Sequence, residues 1–429
     1  MRYQPISPSL FSGNRERLGR LMEADSLAVV HAADIMQRNG DQDYPYRQES
    51  DLFYLTGIEQ PGTILLLAPH HPSMAAREVL FILDPDPEDE QRNGLRLDKE
   101  KAAAISGIRN IQWLSGFEMW LHRSILESSA LYLHIYEYPK YVHRTPSPGH
   151  RFAEQMQHRY PGHAFRRLAP LLIQLRMLKG DAERQLIQHA IDITAKAFHR
   201  VAAFIRPGHH EYEAEAEILH EYLRQGSVGP AYQPIIASGS NACILHYNDN
   251  DHVMQDGDLV LLDIGAEYAN YAADLSRTLP VNGRFSPKQR KYYDAVHRVL
   301  KAMETHFVPG NTIEKINHAA RLMMADELIR LGLPGSQDAM NEKEKAKWAL
   351  SYMVHGITHH IGLDVHDVVD PSAPLAEGMI MTCEPGLYLP AEGIGIRIEN
   401  DILVGNPPVN LMAHIPSDAA EIEALMAAK

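Results

Sequence analysis

Residues 258–278 read DLVLLDIGAEYANYAADLSRT, and the architecture of the longer part of the chain follows from them. A β-rich run ends in Asp263, turns at Gly265 and returns to a second acid, Asp274. Two adjacent antiparallel strands would present both carboxylates to one place. A second acidic pair stands in residues 381–388, MTCEPGLY, and 395–401, GIRIEND. There Glu384-Pro385-Gly386 ends a strand sharply. Arg397 and Glu399 are two residues apart and are expected on one face of a strand. Between the pairs lies a histidine cluster, residues 355–366, HGITHHIGLDVH.

Each acidic pair follows the same helical pattern. One helix is expected to start at Asp181 as N-cap, with Glu183 in its first turn. It carries Leu186, Ile187, Ala190, Ile193, Ala197, Val201 and Phe204 at helical spacing and stops at Arg206-Pro207-Gly208. Another starts at Ser286-Pro287, where Gln289 completes a capping box. It runs through Tyr293, Val296, Leu300 and Met303 and stops at Val308-Pro309-Gly310. Each stop precedes a further amphipathic helix, Glu211–Leu223 and Thr312–Leu331. The sequence thus contains helix, Pro-Gly, helix, strands with two acids, and then the same again. This is an internal repeat.

A chain of 429 residues is long for one core, so two domains are expected. The N-terminal part alternates candidate strands (Leu27–Val30, Thr63–Leu67, Val79–Leu83, Leu131–His134) with helix-like stretches such as Leu97–Ile105 and Phe117–Leu126. That is an α/β layer pattern. Tyr138–His150, with three prolines, reads as a loop. The expected division is an α/β N-terminal domain over 1–175 and an α+β catalytic domain with a pseudo-twofold repeat over 176–429. Net charge is −14, which disfavours nucleic-acid binding. The two cysteines, Cys243 and Cys383, cannot make a disulfide framework. No run resembles a signal peptide or membrane span, so no membrane partner and a cytoplasmic location are expected.

Taken singly, each acid has an ordinary reading as a turn or cap residue, and each histidine as a surface or core group. The set is harder to dismiss. Four carboxylates converging in one pocket would repel, and two divalent cations would balance them. Oxygen ligands with one imidazole suit Mn²⁺, Fe²⁺, Co²⁺ or Zn²⁺.

The ordered set Asp263, Asp274, His359, Glu384 and Glu399 resembles the five metal ligands of the pita-bread metallopeptidase family, which includes methionine aminopeptidase, prolidase and aminopeptidase P. Residues 241–247, NACILHY, resemble the family's upstream histidine motif, and 355–359 with 362–368 its proline-specific branch. Residues 44–57, YPYRQESDLFYLTG, resemble the N-terminal domain of bacterial aminopeptidase P, which methionine aminopeptidases lack. Creatinases have that domain but lack the full ligand set.

The resemblance implies a pita-bread fold for 176–429 and two divalent ions, Mn²⁺ first. It implies cleavage after the first residue of peptides with proline in second position, by a hydroxide shared between the ions. Asp274 and Glu399 would bridge the ions, Asp263 would hold one, and His359 and Glu384 the other. Glu384 would carry the proton. His355 and His366 would stabilise the reacting carbonyl. His246 and Tyr388 would line the substrate site. Arg397 would brace carboxylates or meet the substrate. A homodimer or homotetramer would be the assembly. An Xaa-Pro dipeptidase and a non-catalytic binding module remain alternatives.

His360 departs from the pattern and is read as a neighbour of His359, pointing to the opposite face. Gln337–Lys347 reads as a charged surface insertion, and Pro85–Lys101 as a stretch that could meet another subunit.

Overall fold

The computed structural model describes residues 2–137, 145–335 and 340–427. They form two compact units, Tyr3–Arg176 and Met177–Lys429.

The first unit is built on a six-stranded mixed sheet in the spatial order Asn110–Trp113, Glu78–Ile82, Ile64–Leu67, Ser26–His31, Ala130–Leu133, Ala164–Arg167. The strand Ser26–His31 pairs antiparallel with Ile64–Leu67 and parallel with Ala130–Leu133. Leu27 and Val29 alternate with their neighbours, so they share one face. That face, with Leu66, Val79, Phe81 and Leu131, packs against Phe117, Leu121 and Ile125 of one helix and Phe152 and Met156 of another. The four expected strands are present within a residue or so. The outer two, Asn110–Trp113 and Ala164–Arg167, were not legible, because edge strands carry polar residues such as Gln112 and Arg166. Of the expected loop Tyr138–His150, residues 138–144 lie outside the described set. The remainder is partly helix: Ser147 Oγ accepts from His150 N at 3.3 Å and caps Pro148–Arg159, with Pro148 in the first turn.

In the second unit the repeat is explicit. The helices Asp181–Phe204 and Glu211–Arg224 precede an antiparallel sheet of Ile235–Ser238, Leu259–Ile264 and Leu275–Pro280. The helices Pro287–Met303 and Ile313–Arg330 precede an antiparallel sheet of Ile380–Cys383, Asn400–Leu403 and Val409–Asn410. Each sheet sends out a hairpin before its second acid: Ala266–Tyr268 with Tyr271–Ala272, and Gly386–Leu389 with Ile394–Arg397.

Three local expectations change. Gly180, not Asp181, is the N-cap of the first helix. Glu183 reaches back to Gly180 N at 2.9 Å, and Asp181 sits in the first turn, where the helix dipole favours a carboxylate. The helix from Pro287 ends at Met303, and a 3₁₀ turn, Glu304–His306, fills the gap before Pro309. Of the charged insertion Gln337–Lys347, residues 337–339 lie outside the described residues. Glu342–Ala349 is a helix capped by Asn341 and Glu344. Among the described residues, no helix is long and apolar enough to cross a membrane.

Candidate metal centre

The close approach of Asp263 and Asp274 depends on a glycine. Asp263 lies opposite Ser276 in the ladder. At Gly265 a methyl group would meet the Ala273 carbonyl oxygen at 1.9 Å and the Tyr232 ring at 2.9 Å. Only glycine lets the chain leave the strand here. The hairpin then turns at Ala269 and Asn270, both left-handed with φ of 51° and 64°, and returns with Asp274 just ahead of its strand. Tyr232 OH lies 2.6 Å from Asp263 Oδ1 and 2.6 Å from Asp274 Oδ1. One phenol proton is shared between a half-buried carboxylate, Asp263, and a buried one, Asp274.

Glu384 follows the end of the Ile380–Cys383 strand, and its N donates to Ile357 O. Arg397 is the last residue of its strand, but Glu399 is not on that strand, contrary to the period-two expectation. It occupies a two-residue link, because Ile398 N bonds to Pro385 O and Glu399 N crosses to Ser276 O at 3.0 Å. Ser276 brings the two side chains together instead: its Oγ donates to Glu399 Oε2 at 2.8 Å and accepts from Arg397 Nε at 2.9 Å. Arg397 also donates to Tyr388 OH and to Asp263 Oδ2.

His359 donates from Nδ1 to the carbonyl of His360 at 2.9 Å. Its Nε2 is thereby left facing Asp274 Oδ2 at 3.4 Å and Glu384 Oε1 at 3.7 Å. That is the tautomer a metal ligand needs. The His360 ring is buried and faces the charges of Lys179 and Asp367. His355 Nδ1 donates to Gly356 O, so its Nε2 accepts from Tyr388 OH at 2.8 Å. The His366 ring lies 4.1 Å from that of His359, centroid to centroid. His246 is exposed and near enough to His355 to disfavour its charged form.

The electrostatics agree with this crowding. Burial pushes Glu384 up to about 7 against the pull of His359 and Arg397. Burial, then Asp274, Glu384 and Asp263, push Glu399 well above the carboxylate range. Asp274 rises for the same first reason. Burial alone would lower His359, but its bond to Asp274 and the charge of Glu384 raise it to about 9. Burial and then Arg397 bring His355 down to about 4. Four carboxylates crowded into one place repel unless cations join them. The residues fit such cations: ligand atoms of Asp274, His359 and Glu399 all lie within 4.8 Å of one another. In the first unit, Glu49, Asp51 and His134 cluster as closely, but Arg176 Nη1 stands 2.7 Å from Asp51 Oδ1 and already supplies a cation.

Sequence reasoning missed Tyr232 and Ser276. Tyr232 comes from a loop without a motif. Ser276 could have been found, because it lies two residues after Asp274 and alternation puts it on the same side.

Residues 185–406 match the model of metallopeptidase family M24, and residues 11–132 that of the aminopeptidase P N-terminal domain. The Xaa-Pro aminopeptidase of Haemophilus influenzae is 36% identical over 433 residues, covering 97% of this chain and 96% of that protein. E. coli aminopeptidase P with the inhibitor Pro-Leu superimposes with a TM-score of 0.88 at 34% identity over 99% of both chains. The zinc-substituted form of E. coli aminopeptidase P in complex with product gives a TM-score of 0.88 at 33% identity over 99% of both.

Proposed function

The chain belongs to metallopeptidase family M24, with an aminopeptidase P N-terminal domain ahead of the catalytic one, and from that premise we propose how its residues divide the work. It is a metal-dependent exopeptidase, an Xaa-Pro aminopeptidase, releasing the residue that precedes proline at a peptide's N-terminus. The observation that carries the assignment of residues is the gathering of buried Asp274 and Glu399 and half-buried Asp263 and Glu384 around His359 Nε2.

Asp263, Asp274, His359, Glu384 and Glu399 would hold two divalent ions. When bound, these supply Lewis acidity at the scissile carbonyl and an activated water. Mn²⁺ is the first choice, and Zn²⁺, Co²⁺ and Fe²⁺ suit the same donors. A relative accepts zinc.

The chain's own groups do the rest. Proline lacks an N–H and its ring is rigid, so it must be recognised by shape. His246 would border that pocket; a relative, E. coli aminopeptidase P, takes Pro-Leu as an inhibitor. Glu384 takes a proton at its carboxylate and delivers it to the leaving proline nitrogen. His366, whose ring lies beside that of His359, would meet the developing charge on the carbonyl oxygen, and His355, held neutral by burial and oriented by Tyr388, would stand against the tetrahedral intermediate or the product. Arg397 braces Asp263 and, through Ser276, Glu399.

The same proposal places the domain division at 1–175 and 176–429, the enzyme in the cytoplasm, and the assembly as a homodimer or homotetramer. Peptide is the partner, and the net charge of −14 argues against nucleic acid.

The deciding experiment compares an Xaa-Pro dipeptide with an Xaa-Pro-Yaa tripeptide under Mn²⁺. The tripeptide should be the better substrate. Turnover of the dipeptide alone would make the enzyme a dipeptidase. Glu384→Gln should fold and yet lose turnover.

A further inference from the structure

Glu211 is fully buried and touches none of the metal-binding side chains, yet its carboxylate collects five donors. Ser238 N and Ser238 Oγ donate to Oε1 at 2.6 and 2.7 Å, and Asn241 Nδ2 lies at 3.4 Å from the same oxygen. Tyr247 OH and His252 N donate to Oε2 at 2.7 and 3.0 Å. Glu211 N in turn donates to His252 O. These partners come from one segment, 238–252, which runs from the end of the Ile235–Ser238 strand through a 3₁₀ turn, and two of them, Asn241 and Tyr247, bracket His246.

The bracketed segment is pressed into the catalytic unit from the other side as well. Ala242 and Tyr247, with Leu245, pack in one apolar cluster with Ile235, Ala237, Leu261 and Tyr388. A methyl at Gly395 would meet Ala242 O at 2.0 Å, so the loop lies directly on the hairpin that carries Tyr388 and Arg397. His246 itself is exposed. Among the anchors that set its position are those held by Glu211 and by this cluster, together with Cys243 Sγ on Ile394 O and the bonds of buried Asn250 to Ile236 N, Glu215 and Pro234 O.

The donor pattern calls for a carboxylate. Each oxygen accepts from a backbone N–H, Ser238 on one and His252 on the other. A glutamine has one acceptor oxygen. Whichever way its amide turned, an NH₂ group would face a buried N–H, and such a mismatch is costly.

We propose that Glu211 is a positioning residue for proline recognition: it clamps the 238–252 loop and thereby sets where His246 stands against the substrate. This rests on the reading of His246 as a wall of the proline pocket. The test is a double-mutant cycle on the Mn²⁺-loaded full chain with an Xaa-Pro-Yaa tripeptide, using Glu211→Gln, His246→Ala and the pair.

Glu211→Gln should raise KM by about tenfold with kcat much less affected, the worth of one lost hydrogen bond to a charged group. In the His246→Ala background it should add nothing further. Full additivity, or a loss confined to kcat, would overturn the proposal. If His246→Ala alone left kcat/KM unchanged, the pocket reading itself would fall and the proposal with it. That result differs from one in which His246→Ala is damaging and Glu211→Gln is silent, which sinks only the role of Glu211.

Tyr247→Phe removes a single donor and keeps the carboxylate. It should move KM in the same direction by less, and it carries the test if Glu211→Gln does not fold. An unchanged KM in Tyr247→Phe would then count against the clamp.

Discussion

Arg397 grips Asp263 through Nη2, 2.5 Å from Oδ2, while Nε and Nη1 of the same guanidinium reach Ser276 Oγ and Tyr388 OH. One planar fork thus ties an acid of the first half-repeat to the hairpin of the second, and through Tyr388 to His355. A lysine ammonium on a flexible stem cannot make three diverging contacts at once. Arg397→Lys should leave the circular dichroism spectrum intact and lower kcat/KM or metal affinity by roughly 10–100-fold, as losing a partner behind metal ligands does. Steady-state kinetics and a calorimetric metal titration would check it. Wild-type values in both would mean the fork is dispensable.

Gly265 makes a second prediction possible. Its missing side chain is the space in which the Ala273 carbonyl sits, 1.9 Å from where a methyl would be. Ala273 precedes Asp274, so relief of that clash must move a site acid. Gly265→Ala should cost roughly 1–3 kcal/mol or more of stability and abolish stoichiometric metal binding together. Gly162→Ala, where nothing lies within 4 Å, should change neither. Thermal melts and metal analysis of the two variants separate a local steric effect from a general penalty on glycine replacement.

The acids were legible because their chemistry demands particular residue types beside strand ends, and the capping signals at Ser286 and Gln289 made the repeat visible. Two kinds of feature were not. Boundaries shifted where neighbouring residues could play either role: Asp181 and Gly180 both suit a helix start, and only the reach of Glu183 to Gly180 N separates them. Partners brought in by tertiary structure were silent. Tyr232 lies 31 residues from Asp263 and 42 from Asp274 along the chain, and no local pattern announces that its hydroxyl will sit between them. Glu399 falls outside its expected strand for a similar reason. A cross-strand bond to Ser276, not the local alternation, sets its backbone.

Stripping the metals should show how far the catalytic unit depends on them. Without cations the four carboxylates face one another with Arg397 and His359 as neighbouring positive groups. Exhaustive chelation should abolish peptide cleavage and lower the melting temperature. Adding Mn²⁺ back at about 100 times its Kd should restore ~2.7 kcal/mol of stability together with activity. Repeating the titration with Zn²⁺, Co²⁺ and Fe²⁺ would rank the ions. An unchanged melt after chelation, with the metal shown to be gone, would mean that the acids are balanced by some means other than cations.

The first unit carries a histidine that makes its stability sensitive to acid. His31 ends the Ser26–His31 strand with its ring 4.6 Å from Phe152 and 6.2 Å from Phe117, centroid to centroid, and its buried Nδ1 has no hydrogen-bond partner among the described residues. Burial first, then the positive charge of His134 and Arg151, holds it down to about 3. The folded state keeps the ring neutral, whereas the unfolded chain takes a proton once the pH drops below ~6.5. The stability His31 contributes is therefore complete above that value. It is lost as pH falls towards 3, at up to ~1.4 kcal/mol per pH unit. Asp51, held down to about 2 by Arg176 and His134 against burial, adds its own loss only at lower pH. Urea midpoints measured between pH 6.5 and 4.5 should thus fall more steeply in the wild type than in His31→Phe, by the equivalent of about one proton. Groups titrating in both proteins cancel in that difference. Equal slopes would show that the His31 ring is already protonated in the folded chain, or that it titrates alike in both states, and either would contradict its burial between two phenylalanines.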